Sequence, residues 1–471
     1  MITTIDRYPL RPGLLTEWTL HPTASAEAIE DFRTPSYLQE EHFRAEAMLR
    51  LSGRSDGSWL GTAFDLPGNV DVDAMESVLL TVIDRHDSLR SAFRFTGQRL
   101  SRFTYAGTEV ELRAKVVGEF ATGDEIAAYL EPRFDEATDP LDSALPSVFA
   151  TVTRQDCTTV LLASDHSRTD GYSLFLAPYE IHEIYAARLQ GRLPDRLDEV
   201  GSHADFSHAE RTKAAAIGPQ HPGVVVWQQF LDSCGGALPE FPLERGVRQG
   251  QLPEWGGLHE PILTATEAES FDAASKLAGG QFLTGLVAAA AIAVYELGGP
   301  SEFHTTIPVH TRTHRRWATS LGWYVNSLPV SIETADADDF TDVIRAARQA
   351  LRKALPALKV PCSRAWELTG VVPLLRNMVS FMDLRATPGS EHWNDWNVSG
   401  VGKPPPGDHV FFWFLRTHDG VSITAVYPDT VISQDNIPRF SKRIAEIMSA
   451  VATAGTYAIN APERPLLRST G

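Results

Sequence analysis

The chain reads as an α/β protein of the α+β type, built as two domains with mixed sheets, on three observations. Its 471 residues are enough for two to three domains of ordinary size, and 43% of them are hydrophobic, enough to fill real cores. Strand-like and helix-like segments occur in both halves without the regular alternation of a parallel sheet. Between residues 191 and 223 the sequence turns polar and carries Pro194, Gly201, Gly218, Pro219, Pro222 and Gly223. Such a breaker-rich stretch marks a domain boundary, which places an N-terminal domain at 1–215 and a C-terminal domain at 216–471.

Each element follows from its pattern. Residues 73–89 place Met75, Val78, Leu79, Val82 and Ile83 at helical spacing, and residues 91–105 then read as strands. Residues 140–145 break the chain before a β-prone run, Thr158-Thr159-Val160-Leu161-Leu162-Ala163. A helix-like pattern from Leu174 through Ile181, Ile184 and Tyr185 follows. Beyond the boundary, residues 224–234 predict a helix, 235–257 a Gly/Pro-rich loop and 282–297 an alanine-rich helix. Strands are expected near 303–308 and 323–330, a helix over 340–355, strands at 410–415 and 421–427, and a last helix at 437–452. Residues 386–408, rich in Pro, Gly, Asn and Trp, are too long for an idle connector.

Composition excludes several classes of function. A net charge of −18 argues against a nucleic-acid surface, which needs excess Lys and Arg. Cys157, Cys234 and Cys362 are too few and too scattered for a disulfide framework or a zinc site, so the cytoplasm is the expected compartment and no metal is expected. The N-terminus lacks the apolar core of a signal peptide. The longest apolar stretch, 282–297, is interrupted by Thr284, Gly285, Tyr295 and Glu296. It is short of the roughly 20 residues that a membrane span needs. No transmembrane segment is expected, which leaves peripheral membrane association open.

Chemistry concentrates at His166-Ser167-Arg168-Thr169-Asp170-Gly171, between the β-prone run and the helix-like pattern. Loops held between rigid elements are where catalytic side chains tend to sit, and Gly171 eases a sharp turn there. A neutral histidine is well matched to general-base work near neutral pH. Acyl transfer from a thioester to an alcohol or amine needs such a base, and no nucleophile on the enzyme. Asp170 has three roles open to it: orienting the imidazole, pairing with an arginine to fix the loop, or capping the following helix. His182, His203 and His208 read as surface or structural. The segment Gly171-Tyr172-Ser173-Leu174-Phe175 lacks the second glycine of a nucleophile elbow, and no phosphate-binding loop is present.

The hexapeptide resembles the His-His-x-x-x-Asp-Gly signature of the condensation-domain and chloramphenicol-acetyltransferase-like acyltransferase superfamily. Four further resemblances occur in the family's order. Arg85-His86-Asp87-Ser88-Leu89-Arg90-Ser91-Ala92-Phe93 is similar to Arg-His-Glu-x-Leu-Arg-Thr-x-Phe, and His203-Ala204-Asp205-Phe206 to Tyr-x-Asp-Tyr. Thr311-Arg312-Thr313 resembles the small-residue–Arg element before the next motif. Gly322-Trp323-Tyr324-Val325-Asn326-Ser327-Leu328-Pro329 resembles Gly-x-Phe-Val-Asn-Thr-x-Pro. Within the superfamily, free-standing length and the N-terminal Trp18-Thr19-Leu20-His21-Pro22-Thr23 and Pro35-Ser36-Tyr37-Leu38-Gln39 look most like the actinobacterial polyketide-associated acyltransferases, particularly those that acylate trehalose glycolipids.

The resemblance implies two chloramphenicol-acetyltransferase-like domains in a pseudo-dimer, with a tunnel between them. It implies His166 as catalytic base, and Asp170 as structural, paired with Arg312. Asp165 stands where the family has its first histidine; an acid there is expected to raise the pKa of His166. Trp323, Tyr324 and Asn326, taken to alternate along a strand, are expected with Asp165 to line the tunnel or bind substrate. Arg315 and Arg316, in a basic cluster of an acidic chain, are expected to dock the donor. The expected activity moves an acyl group from a CoA or acyl-carrier-protein (phosphopantetheine) thioester to a hydroxyl of a lipid, sugar, glycolipid or polyketide acceptor, with no bound cofactor. Alternatives are a free-standing condensation enzyme forming an amide, and a non-catalytic recruitment domain.

Overall fold

Thr158, Thr159 and Val160 do form a strand, and the rest of the first half builds outward from it. The structure, a computed structural model, describes residues 2–53, 57–248, 250–404 and 406–463. The first half runs β1 (Ile2–Thr3), β2 (Gly13–Pro22), β3 (Glu30–Asp31), α1 (Tyr37–Leu51), β4 (Trp59–Pro67), α2 (Val72–Arg85), β5 (Ser91–Thr96) and β6 (Arg99–Thr104). It continues with β7 (Val110–Phe120), α3 (Gly123–Ala137), β8 (Ser147–Thr153), β9 (Cys157–Ser164), α4 (Ser173–Leu189) and α5 (His203–Ala214). The second half runs α6 (Pro222–Ser233), β10 (Trp255–Thr264), α7 (Ala265–Leu277), α8 (Phe282–Glu296), β11 (Glu302–His310), β12 (Val325–Glu333) and α9 (Phe340–Ala354). It ends with α10 (Cys362–Thr369), β13 (Asn377–Asp383), β14 (Ser399–Lys403), β15 (Val410–Thr417), β16 (Gly420–Pro428) and α11 (Val431–Ala454).

Two compact units result. The first comprises Met1–Ala216, His310–Val325 and Ala386–Pro405; the second comprises Ile217–Val309, Asn326–Arg385 and Pro406–Gly471. The break after Ala216 falls beside the expected one, but two segments of the expected C-terminal domain belong to the first unit. One of them holds β14, inside the stretch judged too long for an idle connector.

A seven-stranded sheet in the order β1-β14-β4-β9-β8-β2-β7 organises the first unit. Its pairs are antiparallel except β1 with β14. One face packs on α3, where Trp59, Ile126, Leu130, Phe134, Val148, Leu161 and Val401 form a buried cluster. Against β4 packs α4, which also meets α2. A second, three-stranded sheet runs β3-β6-β5.

The second unit carries a six-stranded sheet, β10-β16-β15-β13-β11-β12, that mixes parallel (β13 with β11 and β15) and antiparallel (β16 with β10 and β15) pairs. Helix α8 is buried all round, with Ala288, Ala289 and Ala290 closed off completely. That is the setting in which a helix without a polar face is stable in a globular core. No single described helix is long and apolar enough to cross a membrane, although α7 and α8 together, bent by 91°, match a broken span in length and composition.

Three expectations need correcting. The last helix begins at Val431, six residues earlier than expected, because Thr430 caps it by accepting from Ser433 N. Its opening apolar residues, Val431 and Ile432, are exposed and Pro438 lies inside it, so buried apolar periodicity shows only from Ile437 onward. The polar stretch at the boundary contains α5, capped by Ser202 and carrying the fully buried His203. Trp323 and Tyr324 precede β12, so they are not alternate members of one strand.

Candidate functional site

Strand β9 ends at Ser164 and delivers the signature loop. Asp165 caps a single 3-10 turn, His166–Arg168, its Oδ1 accepting from Ser167 N at 2.9 Å. His166 Nδ1 lies 2.9 Å from the carbonyl oxygen of Thr169. A carbonyl only accepts, so Nδ1 carries the proton and a neutral ring holds its lone pair on Nε2. His166 is half-buried, whereas every neighbour from Asp165 to Asp170 is buried.

Asp170 answers the question of its three roles with two of them. Arg312 Nη1 donates to its Oδ2 at 2.7 Å and Nη2 to its Oδ1 at 3.0 Å. Oδ1 also accepts from Ser173 N at 2.8 Å, capping α4, and Oδ2 from Tyr324 N at 2.9 Å. Burial pushes the Asp170 carboxyl up, but Arg312 and these N–H donors more than offset it and hold it below the ordinary carboxylate range. Arg312 itself lies between the rings of Tyr172 and Tyr324. Gly171 sits half-buried in the turn that opens α4.

The ordered motifs meet around this loop within the first unit. His86 accepts from Leu321 N through Nδ1 at 3.2 Å and donates from Nε2 to Glu180 at 2.9 Å. Asp87 accepts from Ser202 Oγ and from His203 N, fixing the start of α5. Ser88 donates to Leu321 O at 2.9 Å and receives Arg168 Nη1 on its carbonyl at 2.8 Å. His203 Nε2 lies 3.2 Å from both the N and the O of Trp323. Trp323 in turn stacks on His166, centroids 4.1 Å apart at 28°. The spaced motifs are thus largely a hydrogen-bonded frame, with His166 at its centre.

Not every expected residue is free to meet a substrate. Tyr324 is fully buried and gives its hydroxyl to Ser320 Oγ at 2.9 Å, so its ring offers no face to a substrate. Asn326 belongs to the second unit, where Oδ1 accepts from Ser327 N and Cys362 N and Nδ2 donates to Val360 O, all at 2.9 Å. Its amide is spent on tying residues 358–362 to β12. Arg315 is exposed and bridges Asp198 at 3.2 Å, while Arg316 lies over the Trp317 ring at 4.3 Å.

Asp165 acts otherwise than expected, through a residue the sequence reading passed over. His42 Nε2 donates to Asp165 Oδ2 at 2.7 Å, and Gln39 Nε2 donates to Ser167 O at 2.8 Å. Both come from α1, whose capping box, Ser36 with Gln39, is legible in the sequence and would have revealed the helix. Asp165 does push the pKa of His166 up, as expected, but the net shift is downward. Burial lowers it and the nearby His42 lowers it further, outweighing its backbone hydrogen bond and the acids Asp165 and Asp170.

The chain is similar to known proteins over nearly its whole length. The Condensation domain model matches residues 47–463. Acyltransferase PapA3 of Mycobacterium tuberculosis is 25% identical over 467 residues, covering 96% of this chain and 97% of that protein. The 2'-acyl-2-O-sulfo-trehalose (hydroxy)phthioceranyltransferase PapA1 of Mycobacterium bovis is 25% identical over 470 residues, covering 97% and 89%. A solved structure of PapA2 acyl transferase superposes with a TM-score of 0.87 at 25% identity, covering 96% of this chain and 99% of that one. The α/β architecture of the two units, the ordered motifs and a family match over most of the length lead to one conclusion: the chain belongs to the condensation domain family.

Proposed function

We propose that this chain is an acyltransferase that moves an acyl group from a CoA or carrier-protein thioester to a hydroxyl of a lipid, sugar or polyketide acceptor, forming an ester. The observation that carries this reading is the bond from His166 Nδ1 to Thr169 O, which leaves Nε2 as the proton acceptor. Nε2 takes the acceptor's proton as its oxygen attacks the thioester carbonyl. The carbon–sulfur bond then breaks, and the imidazolium returns the proton to the departing thiolate. No acyl-enzyme forms and no cofactor is consumed. A lowered pKa keeps the ring in its base form at neutral pH. The PapA relatives are named as acyltransferases, and the name of PapA1 specifies a sulfo-trehalose, which favours a sugar hydroxyl as acceptor. Arg315 and Arg316 are assigned to electrostatic docking of the anionic donor. Three scattered cysteines suit work in the reducing cytoplasm.

The test offers matched polyol and amine acceptors with acyl-CoA and acyl-carrier-protein donors and identifies the products by intact mass. Ester is expected, and replacing His166 with Ala should slow turnover by about 10²–10⁴-fold. Amide from the amine in preference to ester would give the reaction to the condensation alternative. Tight binding of a carrier protein with no thioester consumed would indicate recruitment without catalysis.

A further inference from the structure

Helix α1 grips the catalytic turn on both sides of His166, through His42 on Asp165 and Gln39 on the carbonyl of Ser167. Gln39 and His42 are three residues apart, so both point from one face of the helix. His42 also meets the edge of the Trp323 ring, centroids 5.7 Å apart at 84°, while His166 stacks on that same indole. The two histidines are therefore linked twice, by one tryptophan and by one turn of backbone.

We propose that His42 is a positioning residue for the reaction: as an imidazolium paired with Asp165, it cancels the carboxylate beside the base and keeps His166 in its proton-accepting form. The proposal rests on His166 being that base. The groups facing the pair come from several elements. Burial works against charge on His42, but Asp165, with Glu46 and Glu41 of its own helix, holds its pKa above the ordinary value. Burial likewise pushes Asp165 up, and His42 and Ser167 more than offset it. Arg168, buried in the same turn, also feels Asp165. Around His166, His42 favours the neutral ring, whereas Asp165 and Asp170 favour the charged one. Removing His42 alone leaves Asp165 without its cation, while Asp170 keeps Arg312.

The experiment compares His42→Gln, Asp165→Asn and the double variant. It follows kcat/KM against pH and, in protein with labelled histidines, the NMR titration of the His166 ring. His42→Gln keeps a hydrogen-bond donor but no charge, so the acid limb of the profile should move to higher pH. Its kcat/KM then falls severalfold at acid pH and converges with the wild type at alkaline pH. Adding Asp165→Asn removes the stranded carboxylate and should bring the limb and the ring titration back toward wild type. A His166 titration unmoved in His42→Gln, or moved equally in the double variant, would overturn the proposal, whatever becomes of kcat. A merely structural His42 would lower activity at all pH values and worsen in the double variant. The ring titration needs no turnover, so it still decides the matter should His166→Ala prove active and the base assignment fail.

Discussion

Arg312 holds both carboxylate oxygens of Asp170, and neither oxygen bonds to the imidazole of His166. The acid of the signature is therefore committed to the frame, and the orientation of the imidazole falls to the Thr169 carbonyl and to Trp323. Both members of the pair are buried. Removing one partner of such a pair leaves the other charge stranded in the interior.

Asp170→Ala should consequently cost about 3–5 kcal/mol of stability, and its loss of activity should track the loss of folded protein. Arg312→Lys should also be destabilising, because a single ammonium cannot present two parallel N–H groups to the carboxylate. Urea denaturation beside the activity assay checks both. An Asp170→Ala protein with wild-type stability and no activity would instead give Asp170 a direct part in the chemistry.

Acid should unfold the protein in two stages. Burial pushes His182, His259 and His409 down to about 4, and His203 in the same direction with Arg102 adding. In the unfolded chain such groups titrate near the ordinary histidine value of about 6.5. Between those values the unfolded state binds more protons, so stability falls as pH falls. His42, Glu46 and Glu210 have the opposite sign, since their raised folded values favour the folded state as pH falls, but they are three groups against seven lowered histidines, His21, His166 and His310 included. Below the ordinary carboxylate range, Asp165, Asp170 and Glu180 add to the loss as pH falls toward their depressed folded values. The urea midpoint should drop steadily from pH 7 to pH 4 and steeply below; a flat midpoint from pH 7 to pH 5 would contradict the histidine assignment.

Much of this frame could be read in the sequence because it depends on local pattern. Helix α2, the β5–β6 strands, the alanine helix α8 and the loop that carries His166 all announce themselves in short windows. What could not be read depends on partners far apart in the chain. His42 and Asp165 are 123 positions apart, and no periodicity in either segment points to the other. Strand β14 is short, and its residues become a strand only by pairing with β4 and β1. Trp323 and Tyr324 mimic the alternation of a strand, yet hydrogen bonds to His203 and Asp170 hold them in the approach to β12.

That approach gives a sharp structural test. A Cβ on Gly322 would stand 2.5 Å from His203 Cδ2, a contact that the buried ring must yield to. Overpacking of this kind costs about 1–3 kcal/mol. Moving the His203 ring also disturbs its bond to Trp323 N, and with it the indole that stacks on His166. Gly322→Ala should therefore lower both the melting temperature and kcat, with KM for the donor little changed. Full activity in a destabilised Gly322→Ala protein would show that His166 needs no support from Trp323.

The docking assignment makes a prediction of a different kind, since it concerns charge at the surface and not packing. Arg315 and Arg316 are exposed, and the bridge from Arg315 to Asp198 lies in solvent, where an ion pair adds about 0–1 kcal/mol at most. Reversing both charges should leave the melting temperature nearly unchanged. If these side chains meet the phosphates of the donor, Arg315→Glu with Arg316→Glu should raise KM for the acyl thioester severalfold while kcat holds. Added salt screens such an attraction over about 10 Å at 0.1 M, so the gap between variant and wild type should narrow as salt rises. Steady-state kinetics across a salt series measures this directly. A donor KM indifferent to both the charge reversal and salt would remove the two arginines from the donor's path and leave them a solvated cluster.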